Sequence, residues 1–291
     1  MTSLSRLSMN YLIPILLLAG AAGAQVTPDP KLRANRDTYH PALEVLKETP
    51  APEVTGEQLA KLKTFPFEAI WGAVQRAGYV NSHISGLKAS RPGDRMVGRA
   101  LTIRYLPKRP DLEQAMQKLS REGNWPGGYH VRAGEQVKPG DVIVVDLGGD
   151  IPTGVFFGDV SALAAKTRGA RGVVLWGSSR DLGELREMEG LPVYAVGFDP
   201  RPALQMGVDW NVPIRIGPAT VLPGDVVVAE EEAVLFFPPS ILGQVVEAAE
   251  RTVEQETFER ERVKEQKHRF RDIYPLSPEL RKRFEEERRK K

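Results

Sequence analysis

The sequence predicts an α/β domain built from layered sheet and helices, and three observations carry that prediction. Valine-rich runs recur along the chain, at Val142-Ile143-Val144-Val145, Val173-Val174-Leu175 and Val226-Val227-Val228. Continuous β-branched runs of this kind fit strands buried on both faces. The tripeptide Pro-Gly-Asp occurs at 139–141 and again at 223–225, each time directly before such a run. A tight turn of this composition feeds a strand. Between the runs lie good helix formers, such as Ala162-Leu163-Ala164-Ala165. Strands and helices mixed at this density make a layered α/β domain.

The elements follow in order. Thr55 is placed to cap a short helix through Lys63. A second helix is expected near Pro66, because proline suits a first helical turn. It carries Phe67, Ile70, Trp71 and Val74 at helical spacing, so Trp71 is expected in the core. Residues 99–105 read as a strand and 111–122 as a helix. Strand 142–146, helix 160–167, strand 172–176, short helix 182–188 and strand 192–196 come next. Strands at 212–216, 226–229 and 233–237 complete the alternation. Ser240 is the expected cap of a long helix striped by Ile241, Leu242, Val245, Val246, Ala249 and Val253.

Both ends differ from this middle. Arg6, the apolar run from Tyr11 to Ala19 and the small residues Ala22-Gly23-Ala24 have the pattern of a secretory signal peptide over 1–24. The apolar run is too short to span a bilayer easily. The pattern therefore predicts an exported, periplasmic protein with no membrane association after cleavage. Residues 25–54 are rich in proline and charge and read as a linker or arm. The folded domain is assigned to 55–264 and a charged helical tail to 265–291. Ser277-Pro278-Glu279 marks a helix start there, and the mixture of signs suits a solvated helix better than a nucleic-acid-binding tail. The net charge of +2 likewise points to no nucleic acid. With no cysteine, the chain can form no disulfide.

The chemistry concentrates between Gly158 and Asp181. A helix start at Gly158-Asp159-Val160-Ser161 offers unpaired amides and a positive dipole end to an anion. Taken alone, Asp159 is an ordinary N-cap. The strand after that helix delivers Arg180 and Asp181 to the carboxyl edge of the sheet, where α/β sites lie. Arginine offers a planar fork to a carboxylate, and aspartate is a hard oxygen ligand for Mg²⁺ or Mn²⁺. Neighbours in sequence rarely pair, so both side chains are expected to face a third group. His83 and His130 are isolated and read as structural or exposed, and Lys166 as solvent-facing. The chain carries no dinucleotide-binding, P-loop or nucleophile-elbow motif.

Asp159, twenty intervening residues and then Arg180-Asp181 resemble the signature of the 4-hydroxy-4-methyl-2-oxoglutarate aldolases, class II pyruvate aldolases that share a fold with the regulator of ribonuclease activity A. Val97-Gly98-Arg99-Ala100-Leu101-Thr102, the two Pro-Gly-Asp strands and Gly169-Ala170-Arg171-Gly172 also look like segments of that family. The resemblance runs from about Phe65 to Lys264. It implies an α/β/α-type sandwich of the swivelling phosphohistidine-domain kind, assembled as homotrimers or hexamers with sites between subunits. It also implies that Arg180 binds the carboxylate of a small 2-oxo acid, with Gly158 and the amides of Val160 and Ser161. Asp181 would ligate the metal directly. Asp159 and Glu256 would act through water, Glu256 from a neighbouring subunit, with Glu254 and Glu259 as rivals. The implied activity is cleavage of a 4-hydroxy-2-oxo acid to pyruvate, with oxaloacetate decarboxylation on the side. Two departures are Glu230-Glu231-Glu232, where an aspartate- and glycine-containing turn is usual, and Glu68 in place of an aspartate. The alternative is a non-catalytic interaction protein on the same scaffold. A quinone-pathway methyltransferase finds no adenosylmethionine-binding glycine motif here.

Overall fold

The computed structural model describes residues 52–122, 128–152 and 154–290, together with Leu46. Contacts divide the chain into Met1–Pro50 and Ala51–Lys291, and every element below belongs to the second unit. The expected leader at 1–24 and nearly all of the arm at 25–54 lie outside the described residues.

The main sheet contains β1 (His83–Ser85), β2 (Lys88–Ala89), β3 (Met96–Pro107), β4 (Asp141–Asp146), β5 (Gly172–Ser179), β6 (Val193–Phe198), β7 (Gln205–Trp210), β10 (Val226–Ala229) and β11 (Ala233–Phe237). Strands β8 (Ile214–Ile216) and β9 (Ala219–Val221) form a separate hairpin. The order across the main sheet is β1-β11-β10-β3-β4-β5-β6-β2, with β7 also on β3. Strands β3, β4, β5 and β6 run parallel, and the flanking pairs are antiparallel. The twelve-residue β3 serves three partners, pairing β10 with its first half, β4 with its middle and β7 with its end.

Alternation along the strands separates two faces. Ile143 and Val145 pack with Val173, Leu175 and Ala195 on one face, whereas Val142, Val144 and Val174 face the other. The first face is covered by helices. Helices α4 (Tyr129–Gln136), α5 (Asp159–Thr167) and α6 (Leu182–Glu187) cover β4 to β6 through Ala133, Ala162, Ala165 and Leu185. Helices α1 (Gly56–Leu62), α2 (Phe67–Arg76) and α7 (Leu242–Glu265) cover β10 and β11 through Leu62, Ile70, Val74, Val245 and Ala249.

The second face departs from the expected α/β/α layering. It is closed by the β8–β9 hairpin, whose Ile214, Ile216, Ala219 and Val221 are buried and whose Arg215 and Thr220 point out. That period-two pattern belongs to a strand with one wet face, which is why no helix forms here.

Other differences are local. Trp71 is 37% exposed, because Phe67, Ile70, Ala73 and Val74 take the inward stripe of α2, and its ring nitrogen donates to His83 Nδ1 at 3.3 Å. Ser240 falls within a short 3₁₀ turn, Pro239–Ile241, so Ile241 occupies the N-cap of α7. Strand β7, helix α4 and the short strands β1 and β2 have no counterpart in the sequence reading. Thr55 does cap α1, through a reciprocal capping box with Gln58.

The charged C-terminal segment is anchored as well as solvated. Helix α9 (Pro278–Arg288) buries Leu280 and Phe284, one turn apart, against Phe258 of α7 and Ile273 of α8 (Phe270–Ile273). Ion pairs Arg251–Glu285 and Arg288–Glu254, both 2.6 Å, border this cluster. Exposed pairs contribute little, so the apolar cluster does most of the anchoring.

The two Pro-Gly-Asp turns are built alike. Gly140 and Gly224 have φ of 90° and 85°, as the third position of a type II turn requires. Asp141 Oδ2 accepts the Lys138 amide at 2.9 Å, and Asp225 Oδ2 accepts the Leu222 amide at 2.8 Å. Asp225 is only 6% exposed, and burial pushes its carboxyl up to about 6. Its raised pKa means that its contribution to stability is complete below the unfolded value and is lost as pH rises through 6. Asp225→Asn keeps the acceptor without the charge. Relative to that variant, the wild type should lose roughly 2–3 kcal/mol of stability between pH 4 and 7. Parallel denaturant melts of the two proteins across that range would show it, and a constant difference would contradict it.

Candidate active site

The site forms where two segments meet at the carboxyl end of β5. Strand β5 extends to Ser179, further than its valine run, so Arg180 and Asp181 emerge directly from the sheet. Beside it runs the segment 154–157. Ser178 donates its amide to Gly154 O at 2.9 Å, Phe156 donates to Ser178 O at 3.1 Å and Arg180 donates to Phe157 O at 3.2 Å. Val155 and Ser178 form a parallel bridge. The buried Ser179 hydroxyl also donates to Phe157 O, at 2.7 Å. This short added strand ends at Gly158, where α5 begins.

Gly158 is the N-cap of α5 and Asp159 its first residue, so Asp159 is not the cap. The amide of Asp159 instead donates to Asp181 Oδ2, at 3.2 Å. A carboxylate from the next loop thus serves the helix start, where unpaired amides and the dipole favour an anion. The amides of Val160 and Ser161 also lie in that first turn, which has no carbonyl of its own to satisfy them. Gly158 makes the approach possible, since a Cβ there would lie 1.8 Å from Asp181 Oδ2. Asp181 adopts the left-handed conformation at φ 58°, which aspartate tolerates better than most residues.

Contrary to the expectation for neighbours in sequence, Arg180 and Asp181 do pair, with Nε 3.5 Å from Oδ2. Both side chains are partly open to solvent, at 47% and 35%, so the contact is weakly held. Asp181 Oδ1 accepts no hydrogen bond among the described residues.

A cleft of about 720 Å³ opens beside these groups, lined by Gly158, Ser161 and Arg180. Tyr105, Tyr129, Phe156 and Phe157 supply aromatic wall, and Lys108, Glu113 and Arg121 supply charge. Burial raises the Tyr129 phenol to about 12, so it stays protonated. His130, expected to be structural or exposed, is exposed, and it lines this same cleft. Burial and then the charge of Arg180 hold its imidazole below the usual value, which keeps it neutral at pH 7. No sequence signal singled it out, because its partner is distant in the chain.

Other expected members stand apart. Val160 turns its side chain outward at 76% exposure, leaving only its amide toward the site. Glu256 bonds to Arg260 at 2.6 Å and lines a different cavity with Val263, Phe270 and Tyr274. Among the described residues, no three acidic or histidine side chains of one chain converge as a metal site. Asp181 with a half-buried Asp159 nonetheless suits a hard cation that keeps most of its waters, as Mg²⁺ does.

Comparison with known proteins shows the family. A family model described as RraA-like, aldolase/RraA, matches residues 68–236, more than half of the chain. The chain belongs to the RraA-like family. Relatives include the 4-hydroxy-4-methyl-2-oxoglutarate aldolase of Thermus thermophilus, 33% identical over 36% of this chain and 63% of that protein. A putative aldolase of the same name from Deinococcus radiodurans is 32% identical over 49% of this chain and 78% of its own. The chain spans less than two thirds of several relatives it matches, 57% in Halalkalibacterium halodurans. Among solved structures, Streptomyces coelicolor RraAS2, described as an unusual member of the RNase ES inhibitor RraA family, superposes with a TM-score of 0.63. It is 28% identical, covering 72% of this chain and all of that one. The RraA-like frame is therefore a mixed α/β fold with a central sheet and helices.

The closeness of Gly158 to Asp181 yields a direct test. Gly158→Ala should fold, with a stability loss of roughly 1–3 kcal/mol from overpacking. Its Asp159 amide should lose the carboxylate, shift in ¹H–¹⁵N spectra and exchange faster with solvent. An unmoved Asp159 resonance would show that the contact is not made.

Proposed function

We propose that this protein is a divalent-metal-dependent carbon–carbon lyase, a class II pyruvate aldolase acting on a 4-hydroxy-2-oxo acid, with oxaloacetate decarboxylation as a side activity. The observation that carries this reading is the junction of Arg180, Asp181 and the Gly158–Ser161 helix start, of which Gly158, Ser161 and Arg180 line the cleft. Arg180 would hold the substrate carboxylate with its planar fork, and the amides of Val160 and Ser161 would share its charge. As the C3–C4 bond breaks, the 4-hydroxyl proton leaves and the bond electrons pass into the enolate of pyruvate. Asp159 would help take that proton through a water molecule that it orients. Loss of CO₂ from oxaloacetate generates the same enolate, so one site serves both reactions. Mg²⁺ or Mn²⁺ bound at Asp181 would supply Lewis-acid stabilisation of the enolate charge. No lysine is required to form a Schiff base.

Assembly as a homotrimer or hexamer of the swivelling phosphohistidine-domain kind belongs to the same proposal, with Glu256 of a neighbouring copy near the metal. Arg288 engages Glu254 and Arg260 engages Glu256, both at 2.6 Å, while Glu259 is buried and bonded to Gln255; Glu256 and Glu259 line one cavity. Export to the periplasm, from the leader pattern at 1–24, completes the reading. A second reading, a non-catalytic interaction protein, is favoured by the 28% identity to RraAS2. It predicts no turnover on any 2-oxo acid.

A pyruvate-coupled assay on 4-hydroxy-2-oxo acids and oxaloacetate decides between them. Activity should vanish with a chelator and return with Mg²⁺ or Mn²⁺. Asp181→Ala should lower it by roughly 10²-fold or more, and Arg180→Lys by roughly tenfold through loss of the fork. Undiminished turnover in Asp181→Ala would remove the proposed metal role.

A further inference from the structure

Helix α3 (Pro110–Arg121) carries a pattern that packing does not explain. Its Glu113, Met116, Gln117, Ser120 and Arg121 all line the cleft. These positions follow i, i+3, i+4, i+7 and i+8, the spacing of a single helical face. Only Met116 among them is apolar, and it alone of this face packs against the core. No residue of α3 is buried, and Leu119 is left 40% exposed. A helix held for stability turns its apolar stripe inward. This one turns a mainly polar face toward a cavity.

The charge on that face is available to a ligand. Arg121 Nε donates to Gln117 O at 3.3 Å, and among the described residues its guanidinium has no carboxylate partner. Lys108, just before the helix, lies 3.9 Å from Glu113 across a largely exposed pair. The cleft therefore receives one guanidinium from the end of β5 and a second from the end of α3. Its 720 Å³ is several times the space a pyruvyl head fills, and Tyr105, Tyr129, Phe156 and Phe157 stand in its wall.

We propose that Arg121, with Gln117 and Ser120 beside it, is a specificity-determining residue that binds a remote second carboxylate of the substrate. Arg180 holds the carboxylate next to the 2-oxo group, and the carbon chain lies along the apolar wall. The preferred ligand is a 2-oxo dicarboxylate. The role of Arg180 rests on the aldolase reading, whereas that of Arg121 rests on the cleft and the face of α3.

Calorimetric titration of the full chain, with Mg²⁺ present, tests the assignment without turnover. The probes are 2-oxoglutarate and 2-oxopentanoate, which differ only in a terminal carboxylate or methyl group. The wild type should favour 2-oxoglutarate by roughly ten- to hundredfold, the worth of a charge-assisted contact. Arg121→Gln should bring the two affinities within about threefold of each other, the limit set by losing that contact. Arg121→Lys should restore part of the preference, and Arg180→Gln should weaken both ligands alike. Unchanged melting temperatures would confirm that the exposed substitutions leave the fold intact. Equal binding of the two probes by the wild type, or a preference that survives Arg121→Gln, would overturn the assignment. A preserved preference without cleavage of 4-hydroxy-2-oxo acids would count against the aldolase reading alone.

Discussion

The site depends on a short piece of sheet that the sequence does not announce. Segment 154–157 pairs with the last residues of β5, through backbone bonds at Ser178, Phe156 and Arg180 and through the Ser179 hydroxyl. Each bond is worth about 1 kcal/mol. Together they fix the start of α5 against the exit of β5. The Asp159 amide can then reach Asp181, and Gly158 can lie beneath the carboxylate. If this pairing opened, Arg180 and Asp181 would still leave β5 at the same place, but the helix start would no longer face them.

Electrostatics then shapes what the cleft can accept. The positive end of α5 and the guanidinium of Arg180 both favour an anion. Asp181 partly answers that demand in the free protein, at a contact open enough to solvent to be exchanged for a ligand. His130 stays neutral beside Arg180, so it adds a hydrogen-bonding group without another full charge. Arg121 and Lys108 extend the positive character along α3. Glu113 is the acidic side chain facing them, and it is drawn toward Lys108.

The rest of the molecule holds this arrangement in place. Helices and the β8–β9 hairpin close opposite faces of one sheet, so the ends of β4 and β5 are supported from both sides. Asp146, at the end of β4, shows how closely the layers are joined. Its carboxylate accepts the Gly148 amide at 3.0 Å and the Arg215 amide of the hairpin at 3.4 Å. The C-terminal helices form a satellite core on the far half of α7, away from the stripe that packs on the sheet.

Elements whose signal is local were legible in the sequence. The valine runs, the two Pro-Gly-Asp turns, the Thr55 cap and the helix after Gly158 all follow from neighbours a few residues apart. The spacing from Asp159 to Arg180-Asp181 likewise pointed to the two segments that meet at the end of β5. What the sequence could not decide was which faces meet. Trp71 shares helical spacing with Ile70 and Val74 yet lies outside the core, because the position of the neighbouring sheet fixes the inward stripe. Leu280 and Phe284 disappear into a charged average until α7 supplies Phe258. His130 and Arg121 gain meaning only when β3 and β4 bring their connecting helices over the exit of β5. Composition and periodicity record what each segment prefers on its own. The cleft is made by contacts between residues tens of positions apart, whose energies exist only once the chain has closed.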